Sequence, residues 1–273
     1  MAAMTTGTAR FGGLRQYAHV VRVVASAEFK LKYSGSALGY VWSVVKPLGL
    51  FGMLYVVFGR FFKLQNFPHY PIYLLLGIVL WTYFTDTTQI AMTSLLARST
   101  LISKLWFPRV IVPLSVSTTT TMTLGVNLLA VAVFVAANRI RPQVTWLLLP
   151  PLLLELFVVS LGVGLFLSAL FLRLRDIGQV WDLVLQLMFY ASPIIYPVGF
   201  LPEWWKPIAF LSPLVQIIED ARWALIPNEA VATAPDVYGT PLGELLPLTV
   251  AGIVIAGGYS FFRAQSPWFA ERT

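Results

Sequence analysis

Six long apolar runs alternate with short charged connections: roughly Ser36–Gly59, Pro71–Ala97, Val110–Ala137, Trp146–Leu172, Gly178–Tyr196 and Leu245–Phe262. A helix needs about 20 mostly apolar residues to cross about 30 Å of hydrocarbon, so each run predicts a transmembrane helix. Ahead of them, Leu14–Tyr33 has a different rhythm. At about 100° per residue, Arg15, His19, Arg22, Ser26 and Lys30 fall on one narrow face, with Leu14, Tyr17, Val21, Val24 and Leu31 opposite. This predicts an amphipathic helix at the headgroup boundary, serving either as a surface anchor or as a platform for a cytoplasmic partner. The one long connection, Pro197 to Glu244, carries Trp204, Trp205 and Trp223 among several prolines. Tryptophan favours the membrane interface, so short helices lying in or dipping into the outer interface are expected there. The expected fold is all-α and integral to a membrane: six transmembrane helices, an N-terminal interface helix and short external helices.

Polar residues inside the runs are spaced, not scattered. Thr82, Thr85, Asp86, Gln89 and Thr93 recur at three- and four-residue intervals in the second run, and Gln179, Asp182, Gln186, Tyr190 and Pro193 in the fifth. Ser36, Tyr40, Ser43 and Lys46 form a weaker stripe in the first. A carboxylate at mid-membrane costs at least about 2.5 kcal/mol, so such faces turn toward another helix or toward a polar conduit. Both readings stay open for each stripe. The fifth run ends on Ser192-Pro193-Ile194-Ile195-Tyr196-Pro197. Proline removes a backbone donor, and in lipid the freed groups must find protein or a water-filled cavity. The segment therefore reads as the wall of a passage. Trp42, Tyr55, Tyr73, Trp81, Tyr83, Phe84, Phe189, Tyr190 and Tyr196 add flat rings, which suit sugar faces as well as ordinary packing.

Composition narrows the class. The chain is 58% hydrophobic and 11% charged, against roughly 25% charged in soluble domains. The net charge of +7 could suggest nucleic acid, but its placement speaks for a membrane. With an even number of spans, the side holding both termini carries twice the Lys and Arg of the other, which makes it cytoplasmic. No apolar core precedes a small-residue cleavage site in the first 35 residues, so a secretory signal peptide is not expected. Cysteine is absent and there are two histidines, His19 and His69, on opposite sides. That excludes thiolate metal sites, disulfides and a Ser/His/acid set. No G-x-x-x-x-G-K-[ST] loop is present, so the chain has no phosphate cradle of that kind. No cofactor and no catalytic residue are expected in it.

Several fragments in order resemble one family. They are Leu38-Gly39-Tyr40-Val41-Trp42 followed by Pro47; Lys104-Leu105-Trp106-Phe107-Pro108; Arg175-Asp176-Ile177; and the Ser192–Pro197 break. From about Phe29 to Phe262 the chain resembles the permease subunit of bacterial ABC exporters for polysaccharides such as O-antigens, teichoic acids and galactans. The resemblance implies an inner-membrane homodimer with cytoplasmic termini, working with two copies of an ATP-binding cassette subunit that binds ATP and Mg. It implies a domain plan of 1–35 (interface segment), 36–262 (permease) and 263–273 (tail). A coupling helix at about 98–109 would dock on the ATPase through Leu101, Lys104, Leu105 and Trp106, with Arg175 and Asp176 nearby. External gate helices would lie at about 200–226, bearing Trp204, Trp205 and Trp223. A lipid-pyrophosphate-linked glycan would enter near Arg22, Lys30 and Lys46. It would then pass Trp42, Tyr55, Trp81, Tyr83, Asp86, Gln89, Gln186, Tyr190 and Tyr196. An exporter of a small lipid or drug, a proton-coupled carrier using Asp86 and Glu155, and a membrane glycosyltransferase are the competing readings. The last lacks a suitable carboxylate pair.

Overall fold

The computed structural model describes residues 14–33, 41–98, 109–227 and 231–266. Ten α-helices order them: α1 (Leu14–Tyr33), α2 (Val41–Leu54), α3 (Tyr70–Ala97), α4 (Ile111–Ala137), α5 (Leu149–Phe171), α6 (Ile177–Ala191), α7 (Lys206–Phe210), α8 (Pro213–Leu225), α9 (Ala234–Tyr238) and α10 (Leu245–Gln265). The Tyr55–Phe61 segment continues α2 as a π-helix. Among the described residues, four helical stretches are long and apolar enough to cross a membrane: Val41–Phe61, Ile111–Ala137, Val144–Phe171 and Pro241–Gln265.

The two remaining predicted runs differ from these in instructive ways. α3 has 28 residues, but its stripe of hydroxyls and amides dilutes its apolar character. It is the central post, packed against α2, α4, α5, α6 and α8. From Ile72 to Trp81 every residue is buried, as expected of a helix apolar all round. α6 has 15 residues and at 1.5 Å per residue spans only ~22 Å. It stops at Ser192 because the residue before a proline is driven to extended backbone; Ser192 has ψ 150.

The hydroxyl cluster of α4 explains how a polar run is tolerated in this core. Ser117, Thr118, Thr119, Thr120, Thr121 and Thr123 each bond to a carbonyl one turn back, as serine and threonine do in membrane helices. The same hydroxyls also join α4 to its neighbours. Thr87 and Thr120 pair at 2.7 Å, Tyr83 and Thr121 at 3.1 Å, and Thr119 reaches the Ala25 carbonyl of α1.

Of the small-residue pairs visible in the sequence, Gly164-xxx-Ser168 makes a close helix contact and Gly252-xxx-Ala256 does not, and the tightest crossing falls on other glycines. A Cβ at Gly162 would meet Ile255 Cα, and one at Gly258 would collide with the Gly162 carbonyl, so this is where α5 and α10 cross. Gly164 lets α5 approach α3, since a Cβ there would come within 2.8 Å of Ala91 Cβ, and Gly252 faces open space. Gly35 and Gly39 lie outside the described residues.

Candidate functional site

Three groups of residues compete for function: the outward faces of α2 and α6, the α1 end of the bundle, and the α8 end.

α6 packs on α3 through Trp181, Leu185 and Phe189. Trp181 Nε1 donates to Thr88 Oγ1 at 3.1 Å, and Phe189 stacks at a tilt on Trp81. Gln89 Nε2 donates to Asp182 Oδ1 at 2.7 Å, so the stripes of the second and fifth runs meet along one seam. Beyond that seam the rest of the α6 stripe faces outward. Gln179, Asp182, Gln186 and Tyr190 are exposed, as are Trp42, Lys46 and Met53 along one side of α2. Tyr55 is half-buried and stacks on Phe51 and Tyr70.

Trp81 and Tyr83, expected beside a conduit, are instead buried within the subunit. The Tyr83 hydroxyl is spent on Thr121, so for these two rings helix packing describes the contact. Asp86 is half-buried on α3. Tyr196 Oη donates to the Tyr190 carbonyl at 2.7 Å, closing the turn after α6.

At the α1 end, Val21 and Ala25 are buried against α4, and Arg22 and Lys30 point away on the exposed face. Over the described side chains, 18–30, the predicted amphipathic division holds, with one addition: Glu28 lies on the buried side. Its Oε1 is 2.5 Å from Arg98 Nη2, each side chain being about one-fifth exposed (21% and 22%). Burial raises the Glu28 carboxyl above its usual range, opposed by the Arg98 charge and by hydrogen bonds to Arg98 and Thr119. This ties α1 to the last residue before the 99–108 segment. Leu101, Lys104, Leu105 and Trp106 lie outside the described residues. Arg175 and Asp176 are exposed in the turn before α6.

The α8 end holds what the sequence hid. Arg222 is 0% exposed. Its Nε donates to the Tyr73 carbonyl at 3.0 Å, and Nη1 to the Pro193 carbonyl and to Glu219 Oε1, both at 2.6 Å. Nη2 donates to the Ile194 carbonyl at 2.6 Å. The guanidinium also lies 3.5 Å above the Tyr73 ring centroid, and Tyr73 Oη donates to Glu219 Oε1 at 3.0 Å. Tyr70 Oη donates to the Ile195 carbonyl at 2.9 Å.

The carbonyls of the proline break are thus satisfied by protein. Pro193, Ile194 and Ile195 are buried, which corrects the expectation that this segment forms the wall of a passage. Gly77 makes the clamp possible, because a Cβ there would collide with the Arg222 guanidinium. Burial raises the Glu219 carboxyl, against the pull of Arg222 and Tyr73. Of the three tryptophans of this region, Trp204 is exposed, Trp223 is exposed on α8, and Trp205 Nε1 donates to the Ala191 carbonyl at 3.1 Å.

Beside the clamp, Gln216 Nε2 donates to Asp220 Oδ2, and its side chain lies close enough to Glu155 of α5 to act on that carboxyl. Asp220 is pushed up to about 7 by burial, with Glu244, Glu155 and Glu219 adding repulsion and the Gln216 bond opposing. In the sequence Arg222 is one of the charges of the external segment, with no partner visible for it. The available signal was Glu219 and Arg222 at i,i+3 in a largely apolar stretch.

Residues 19–226 match the family described as ABC-2 type transporter. An O-antigen export system permease protein RfbA of Klebsiella pneumoniae is 30% identical over 201 residues, covering 72% of this chain and 76% of its own. A protein of the same description from Myxococcus xanthus is 26% identical over 190 residues, covering 70% and 73%. The polysialic acid transport protein KpsM of Escherichia coli is 22% identical over 217 residues, covering 74% and 79%.

Proposed function

Because the chain belongs to the ABC-2 type transporter family, we propose that it is the membrane subunit of an ATP-driven exporter. Its cargo is a lipid-linked polysaccharide, moved from the cytoplasmic to the external face of the inner membrane. The relatives named for O-antigen export and polysialic acid transport support the cargo class.

The observation that carries the mechanism is the outward face of α6. Asp182, Gln186 and Tyr190 are too polar to rest in hydrocarbon, and in one subunit they are exposed. A second copy of the chain turns that face, with Trp42 and Lys46 of α2, into the wall of a shared hydrated tunnel. α3 and α6 then complete six spans, α6 by extension through its clamped break. ATP and Mg bind a separate cassette subunit, two copies per dimer. That subunit engages the 98–109 connection, with Arg175 and Asp176 beside it, on the cytoplasmic side where both termini lie. Arg22, Lys30 and Lys46 receive the anionic lipid head at that side. The 200–226 segment, with Trp204, Trp205 and Trp223 at the outer interface, is the gate. The excess of Lys and Arg on one side supports this orientation.

The test is depletion of the protein in cells that retain the cassette subunit. Lipid-linked polymer should accumulate on the cytoplasmic face. Complementation by Gln186→Leu/Tyr190→Leu should restore membrane insertion but not export. Full export by that variant would remove α6 from the wall. Unchanged polymer distribution on depletion would refute the cargo.

A further inference from the structure

The neighbourhood of Asp220 holds a set of atoms whose hydrogen bonding does not close. Glu155 Oε1, Gln216 Oε1 and Asp220 Oδ1 are buried and have no hydrogen-bond partner. All three are acceptors. Gln216 itself is 2% exposed; its amide donates to Asp220 and lies close enough to Glu155 to act on that carboxyl. An ionised pair here has nothing to donate, and an unmet buried acceptor carries a desolvation penalty. One proton converts a carboxylate oxygen into a donor that can serve a neighbouring orphan.

We infer that Glu155 and Asp220, bridged by the Gln216 side chain, hold one shared proton, and that this proton latches α8 to α5.

The surroundings favour it. Facing Asp220 are Glu155 of α5, Glu244 of the turn before α10, and Glu219 of α8 itself. All are acidic. The short helix Val144–Leu148, which also packs on α8, brings no titratable group. On α7, Lys206 is engaged with Glu203, and Tyr73 of α3 and Arg222 of α8 itself are closed on Glu219. Among the described residues of these elements, no basic side chain is therefore free there to replace the proton. The position of Asp220 near neutrality agrees with this. The sign follows: an acid held more tightly protonated in the latched form favours that form at low pH and releases it as pH rises through about 7. α8 stays anchored on its other side by Arg222, so release is a tilt about the clamp.

The native chain has no cysteine, so spin labels can be placed without background. The exposed Leu154 of α5 and Leu211 in the turn between α7 and α8 are replaced by cysteine and labelled. The distance between them is then measured by pulsed electron paramagnetic resonance on the full chain in nanodiscs, between about pH 6 and about pH 8, a range bracketing the expected titration. A single short distance at low pH should give way to a longer population through neutrality. Asp220→Asn and Glu155→Gln should hold the short distance throughout, and Glu244→Gln should move the midpoint down. A distribution that never changes with pH would mean that buried water, not a proton, serves these acceptors, and would overturn the latch. So would an Asp220→Asn protein that titrates like the parent. If Asp220→Asn fails to fold, an unmoved midpoint in Glu244→Gln overturns it. The readout needs neither cassette subunit nor glycan, so loss of the export reading leaves this result intact.

Discussion

Glu28–Arg98 and Glu219–Arg222 are the same two side-chain types joined at nearly the same distance, 2.5 and 2.6 Å, at opposite ends of the bundle. Water reaches about a fifth of each partner in the first pair and essentially none of the second. The difference decides what each can do. A wet pair is worth about 0–1 kcal/mol and can be remade many times in a cycle. A dry pair is rigid, because removing one partner strands the other charge at about 3–5 kcal/mol. The end proposed to receive the ATPase thus has an adjustable joint. The end proposed to gate export has a fixed pivot, locked further by three backbone carbonyls.

The largest break should come from Arg222→Ala. Besides stranding Glu219 it frees the Pro193 and Ile194 carbonyls, so unfolding in detergent should shift by at least about 3–5 kcal/mol. Arg222→Lys should recover little, since an ammonium lacks the planar fork that reaches four acceptors. Replacing both partners, Glu219→Met with Arg222→Met, should be milder than Arg222→Met alone, because no charge is left unpaired. A double variant as damaged as the single one would mean that the carbonyls, not the charge pair, dominate.

Gly77→Ala comes next. The added methyl meets the guanidinium, and overpacking of this kind costs about 1–3 kcal/mol. Gly49→Ala, whose Cβ meets nothing, is the control and should be neutral or up to about 1 kcal/mol stabilising in the same thermal assay, from helix propensity alone. Tyr73→Phe follows. It removes the 3.0 Å bond to Glu219 while keeping the ring under Arg222, and a bond to a charged group is worth about 1.5–3 kcal/mol. If Tyr73→Phe matches the parent, Arg222 alone satisfies Glu219.

Periodicity exposes local structure well and partnership poorly. The amphipathic α1 and the helix stop at Ser192 follow from residues within one turn of each other, and both were legible. The Arg222 clamp joins residues 149 and 29 positions apart in the chain, and no spacing rule connects them. The glycine contacts fail for the same reason. Small-xxx-small pairs are common in membrane helices, and only the crossing geometry selects Gly162 with Gly258 over Gly252. The polar stripes were ambiguous in principle, because a stripe facing a helix and one facing water share a period. The structure divides them: Gln89 closes on Asp182, while Gln186 and Tyr190 remain outward.

The smallest expected effect is the one that most sharpens the contrast between the two pairs. Glu28→Gln removes a charge but leaves an amide oxygen able to accept from Arg98. If the α1 joint drew its strength from the ion pair, the variant would loosen α1. Burial, however, is the largest influence on Glu28 and raises its carboxyl despite Arg98. The docked form therefore binds a proton more tightly than a free chain does. Stability from that source is present at low pH and declines as pH rises through the raised value. Protonation, or its mimic glutamine, should accordingly leave α1 docking unchanged or slightly firmer, within the few tenths of a kcal/mol typical of half-wet pairs. Hydrogen exchange across α1 reads this directly. Equal or slower exchange in Glu28→Gln would mark the joint as held by apolar burial of Val21 and Ala25. Marked acceleration would return the credit to the charge pair and erase the distinction between the two ends.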